Sequence, residues 1–170
     1  MTSCGLMHGS VSDKLSQKLT YGKSTIDVVY SCYADLPGIY ADVQVVWNEP
    51  RSILKLEINP SGARAPVVAM QCAAGSVNRP ADGNELPLHQ WLWVPTGDRG
   101  LAIVQKGATA CDCLNGRVRL TLIRSSLYGF EDNREVFAID PQHDTDIGPR
   151  SFRMQFIPNE GFNVSRLDQG

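Results

Sequence analysis

Along most of the chain, apolar residues recur at every second position. Ile26, Val28, Tyr30 and Cys32 alternate with Asp27 and Ser31, and Ile39, Ala41, Val43, Val45 and Trp47 alternate with Asp42 and Gln44. The same pattern runs through Leu54–Ile58 around Lys55 and Glu57, through Val118–Leu122 around Arg119 and Thr121, and through Phe152–Phe156 around Arg153 and Gln155. A period of two sends successive side chains to opposite faces of a strand, so each run predicts one core face and one polar face. Turn chemistry separates the runs: Leu36-Pro37-Gly38, Asn48-Glu49-Pro50-Arg51, Asn59-Pro60-Ser61-Gly62 and Gly97-Asp98-Arg99-Gly100. Asn115-Gly116 is the strongest local hairpin signal, because both residues tolerate positive φ. Many short strands at this spacing predict an all-β fold, an antiparallel β-sandwich.

Two stretches lack the rhythm. Asn78–Pro87, with Pro80, Gly83 and Pro87, reads as a loop, and so does Ser125–Pro149, rich in Asp, Asn, Pro and Gly. Long loops in compact domains are often functional. Residues 1–17 read as a frayed or partly helical arm, 18–158 as the sandwich and 159–170 as a tail.

The 170 residues suit one domain, and 42% hydrophobic content is enough for a core. A net charge of -2, from 16 basic and 18 acidic side chains, lacks the basic footprint of a nucleic-acid binder. No apolar run approaches the roughly 20 residues of a membrane span, and Met1–Ser10 has no signal-peptide pattern, so a soluble, cytoplasmic location is expected. Five cysteines form no disulfide framework. Cys111 and Cys113, two apart, share a strand face, but a zinc site needs about four ligands and only His8, His89 and His143 are available to add to them. A structural role is expected of the pair, and Cys32 and Cys72, in strand-like runs, are expected to pack as buried small hydrophobes.

Candidate chemistry is sparse. Glu131, Asp132, Glu135, Asp140, Asp144 and Asp146 in the acidic loop are the carboxyls from which a glycosidase pair would have to come. No nucleophile elbow, P-loop or dinucleotide fingerprint occurs. Trp91 and Trp93 face one side of a strand; they either stack on sugar C–H surfaces or pack beneath a neighbouring sheet.

The order of motifs resembles one family. Tyr21-Gly22-Lys23-Ser24-Thr25-Ile26, Val45-Val46-Trp47-Asn48-Glu49, Ile53-Leu54-Lys55-Leu56, Asn78-Arg79-Pro80, Leu86-Pro87 with Gln90-Trp91, Gly100–Ile103, Asn115-Gly116 and Leu120–Ser125 resemble, in that order, the C-terminal β region of the family 38 glycoside hydrolases, the α-mannosidases. Asp146, Gly148 and Phe152 resemble the family's late Asp-x-Gly-x-x-x-Phe pattern. The resemblance covers about residues 18–158 and implies part of a supersandwich resembling galactose mutarotase. It also implies retaining, zinc-dependent hydrolysis of α-mannosides by a separate N-terminal α/β domain that holds the zinc ligands and the nucleophilic Asp.

No catalytic residue, metal ligand or cofactor is therefore expected in this chain, zinc belonging to that other domain. Asp144 and Asp146 resemble the family's loop near the sugar pocket, with Ile147 where the family carries an Arg; an aliphatic side chain donates no hydrogen bond there. The expected role is a non-catalytic C-terminal β domain that supports the catalytic domain and lines the sugar site, with Trp91, Trp93, Asp144 and Asp146 as substrate-binding candidates. The expected partners are mannosides, together with an α-mannosidase catalytic domain or a second copy of the chain. The alternatives are a carbohydrate-binding module and a small aldose-epimerase-like enzyme relying on His89 or His143.

Overall fold

The computed structural model describes residues 3–63, 66–73, 75–126 and 144–159. Among them there is no helix. The strands are β1 (Ser3–Met7), β2 (Ser12–Tyr21), β3 (Ser24–Tyr33), β4 (Ile39–Trp47), β5 (Ser52–Ile58), β6 (Val67–Cys72) and β7 (Gly75–Pro80). They continue with β8 (Asp82–Pro87), β9 (Trp91–Thr96), β10 (Arg99–Lys106), β11 (Ala110–Leu114), β12 (Arg117–Ser125) and β13 (Gly148–Asn159). Nine form one sheet in the order β1-β2-β3-β4-β13-β10-β9-β6-β7, and four form a second, β5-β12-β11-β8. All pairings are antiparallel, so the expected sandwich of antiparallel sheets is what forms.

The alternation read from the sequence places the core. Ala41, Val43, Val45 and Trp47 of β4, with Phe152 and Met154 of β13, turn inward onto Cys111, Cys113, Val118 and Leu120 of the smaller sheet. The Asn115-Gly116 turn is a two-residue hairpin, with Leu114 opposite Arg117 and φ of 52° and 79° at the two turn residues. Both angles lie in the left-handed region that a type I′ turn requires.

Two family-like motifs turn out to be one clasp. The β2–β3 turn places the Lys23 N–H and the Ser24 hydroxyl on Glu49 Oε1, at 2.6 and 3.0 Å. Ser24 Oγ accepts the Asn48 N–H at 2.8 Å, and the Asn48 amide donates to Lys23 O at 3.1 Å. Gly22 is required there: its φ is 53°, and a Cβ would lie 2.5 Å from Glu49 Oε1. The clasp fixes where the chain leaves β4 for the second sheet.

Two expectations are corrected. Residues 3–17 are not a frayed or helical arm: β1 pairs with β2, and β2 pairs with β3 along its whole length, from Ser12 opposite Tyr33 to Tyr21 opposite Ser24. Their side chains are mostly exposed, so the backbone ladder holds them and no apolar rhythm advertises them. Asn78–Pro87 is not a loop either, but the end of β7 and all of β8. Each is the edge strand of its sheet, where proline is tolerated because no partner needs its missing N–H. Most of the other expected loop, residues 127–143, lies outside the described residues, as do 160–170 of the expected tail.

The short links from β4 to β5 and from β7 to β8 set the smaller sheet over the β4–β7 part of the larger one. Val28 of β3 still belongs to the core, while the inward face of β1, β2 and the end of β3 at Cys32 extends beyond it.

Candidate functional site

The sequence-derived candidates do not converge. Trp91 is 0% exposed and Trp93 is 6%. They lie on the face of the large sheet opposite the sandwich core, in a cluster with Ala69, Ala102, Val104 and Ile157. Gly100 leaves room for Trp93, since a Cβ there would come within 2.2 Å of its ring. Both indoles therefore pack, and neither offers a face to a sugar in this chain.

Asp144 and Asp146 sit in the turn before β13. Asp144 is half-buried, and its Oδ1 is buried without a hydrogen bond. Asp146 is exposed, has φ 57° and pairs with Arg150 Nη2 at 3.2 Å. The turn is tied down by Thr145, whose N–H donates to Ser126 O at 2.8 Å. Trp91 lies opposite Val104, and Val104 opposite Gln155, seven residues along β13 from Gly148. At 3.3 Å per residue, that puts about 23 Å between the two candidate pairs. Glu131, Asp132, Glu135, Asp140 and His143 lie outside the described residues.

Buried charge is found elsewhere, on the outer face of the smaller sheet. Asp112 is 2% exposed and accepts from Lys55 Nζ and Arg119 Nε, both at 2.7 Å. Lys55 also lies 3.4 Å from Glu85, which accepts the Thr121 hydroxyl proton. That hydrogen bond, with Lys55 beside it, holds the Glu85 carboxyl below its usual range despite some burial. The hydrogen bond that it donates to Asp112 raises the Arg119 guanidinium. A general acid working near neutral pH needs a raised carboxyl, so this compensated cluster has the chemistry of a structural network.

Cys111 and Cys113 do share a face, at 0% and 2% exposure. The hydrogen bond between them, with burial, pushes the Cys111 thiol up, and the same hydrogen bond lowers Cys113. Among the described residues, no three His, Cys, Asp or Glu side chains converge on a point. Two cysteines with no third ligand beside them do not fit a zinc ion, which takes about four.

A groove of about 790 Å³ opens at one end of the sandwich. Tyr40, His89, Gln90, Lys106, Arg153 and Gln155 supply its polar lining. Its walls are stitched by Gln105, a polar side chain at a core-facing position in β10 and only 5% exposed. Gln105 Nε2 donates to His89 O and, at 2.8 Å, to Ala108 O, while its Oε1 accepts the Ala108 N–H at 2.8 Å. The Leu88 N–H meets Thr109 O at 2.9 Å, and the Gln90 N–H meets Gln71 Oε1 at 2.9 Å. The 88–90 and 107–109 connections are thus fixed to each other. The one hint in the sequence is Gln105 itself, which interrupts the apolar run Leu101, Ile103 at the next inward position.

The model of the glycosyl hydrolases family 38 C-terminal domain matches residues 4–141. An α-mannosidase from Enterococcus faecalis V583 superposes with a TM-score of 0.77 at 12% identity, over 93% of this chain and 22% of that one. A glycosyl hydrolase family 38 protein from Enterococcus faecalis superposes with a TM-score of 0.72, also at 12% identity, over 93% of this chain and 23% of that one. The chain thus spans under a quarter of the length of these structures. No curated protein sequence matches it. A family match that begins at residue 4 takes in the β1–β2 hairpin, which the motif order alone left out. By that match over most of its length, the chain belongs to the glycosyl hydrolases family 38 C-terminal domain family.

Proposed function

We propose that this chain serves as the non-catalytic C-terminal β domain of an α-mannosidase-like glycoside hydrolase and docks on the catalytic part through the inward face of β1–β3. The observation that carries the reading is an uncovered apolar groove of about 390 Å³, formed by Leu6, Leu15, Tyr30, Cys32 and Ile39. These positions follow the same inward alternation as the core, yet Leu6 is 63% exposed and Ile39 42%. Patches of this kind mark surfaces that another polypeptide covers. The Asp144–Gly148 turn, with its unpaired Asp144 oxygen, is the part of this domain offered toward the sugar. Mannosides are then the substrates of the assembled enzyme and zinc is a ligand of its other domain.

The test has two arms. A chromogenic α-mannoside is expected to show no turnover with the purified chain, with or without zinc; turnover that a chelator abolishes would sink the non-catalytic reading. Light scattering at high protein concentration, with an apolar dye, is expected to show association or dye binding, both lost in a Leu6→Asp, Leu15→Asp variant. A strict monomer that binds no dye would remove the docking face.

A further inference from the structure

We propose that the groove at the end of the sandwich is a binding site for a small oxyanion-bearing ligand of about hexose size, a function separate from docking on a catalytic domain. The first ground is a juxtaposition of like charges. Lys106 of β10 and Arg153 of β13 are direct cross-strand partners, an arrangement that costs stability unless something of opposite charge lies between them. His89 lines the same groove, and among the described residues no Asp or Glu does. Among the described residues Arg153 has one counter-charge, Asp42 at 3.2 Å, on the next strand. Among the described residues, neither Lys106 nor His89 has a carboxylate within ion-pair distance. A basic groove on a chain of net charge -2 is a local feature and does not follow from composition.

The second ground is the supply of oriented neutral donors. Gln155 Nε2 donates both to Pro37 O, at 3.0 Å, and to the Tyr40 hydroxyl oxygen, at 2.7 Å. The carbonyl partner fixes the orientation of the amide, so Tyr40 accepts from it and keeps its own proton to donate. An ammonium, a guanidinium and a phenol hydroxyl around one cavity are the donors that a phosphate or carboxylate takes.

The third ground is rigidity. The buried Gln105 bonds described above hold both wall-forming connections in place before any ligand arrives, which lowers the ordering cost of binding. A volume of about 790 Å³ is within the range of small-ligand clefts and far exceeds what a bare ion fills.

The experiment is a titration of the ¹⁵N-labelled chain followed by NMR, with calorimetry in parallel, using inorganic phosphate, glucose 6-phosphate, glucuronate and neutral glucose at low ionic strength. Saturable shifts confined to the residues around Lys106, Arg153 and Gln90 are expected with glucose 6-phosphate, glucuronate or both, and these two arms separate a phosphate from a carboxylate ligand. Inorganic phosphate is expected to bind more weakly at the same residues, and glucose to leave them unmoved.

Lys106→Ala with Arg153→Ala, both surface positions, is expected to weaken binding by roughly tenfold or more and to leave the fold intact. Three results would overturn the proposal: no saturable shift with either sugar anion, equal response to glucose, or undiminished binding in the double variant. None of these bears on α-mannoside turnover or on association through β1–β3, so the two readings fail separately.

Discussion

One row of residues crosses the large sheet on its inward face, and its two ends have different fates. Leu6 lies opposite Leu15, Leu15 opposite Tyr30, Tyr30 opposite Ala41, and Ala41 opposite Met154. Exposure falls along it from 63% at Leu6 and 37% at Leu15 to 2% at Ala41 and 3% at Met154. The backbone ladder is continuous throughout; what changes is the second layer, which spans four strands against nine. Alternation thus assigns a side chain to a face, while the opposing sheet decides whether that face is dry. A half-covered sheet is stable on one side and adhesive on the other.

The largest effects are expected on the covered side. Trp91→Ala removes a fully buried indole and should cost about 3–5 kcal/mol in urea denaturation. Asp112→Ala leaves Arg119 without this carboxylate and Lys55 with Glu85 alone. Because both cations are partly exposed, about 2–3 kcal/mol is expected, with Asp112→Asn recovering part of it. Gly116→Ala should cost more than about 1 kcal/mol, since φ is 79° and the new methyl would meet Ala63 O at 1.7 Å.

On the uncovered side, Leu6→Ala should change stability by less than about 0.5 kcal/mol while reducing association. A Leu6→Ala cost as large as that of Leu120→Ala would break the comparison, because it would mean that the face is already covered in solution.

The smallest effect is one of pH. The Glu85 carboxyl titrates below its ordinary 4.5 when folded, chiefly through the Thr121 hydroxyl. Its contribution is complete above that ordinary value and is lost as pH falls through the lowered one. Thr121→Val should flatten this acid limb of a stability–pH curve, and an unchanged limb would assign it to other carboxyls.

Where apolar alternation was strong, the sequence was legible. Ile39–Trp47 is a strand with the bounds its pattern suggests, Asn115-Gly116 is the hairpin its φ tolerance suggests, and Cys111 and Cys113 share a face as a spacing of two requires. The β1–β2 hairpin and β8 were not legible, because they are edge or near-edge strands with mostly polar, exposed side chains held by backbone pairing. Trp91 and Trp93 were correctly placed on one face, but their burial depends on neighbours far away in sequence.

Local chemistry, acting through a period of two and through turn residues with positive φ, was enough to settle the all-β class, most strands and the family to which the motif order points. The number of strands in each layer is a long-range quantity, because strand pairing joins residues as distant as Ile39 and Phe156. Only the tertiary structure therefore decided that the inward face of β1, β2 and the end of β3 at Cys32 lies uncovered and that Tyr40, His89, Lys106 and Arg153 line one groove. No local propensity encodes the meeting of residues a hundred positions apart; backbone pairing and the packing of two unequal sheets bring it about.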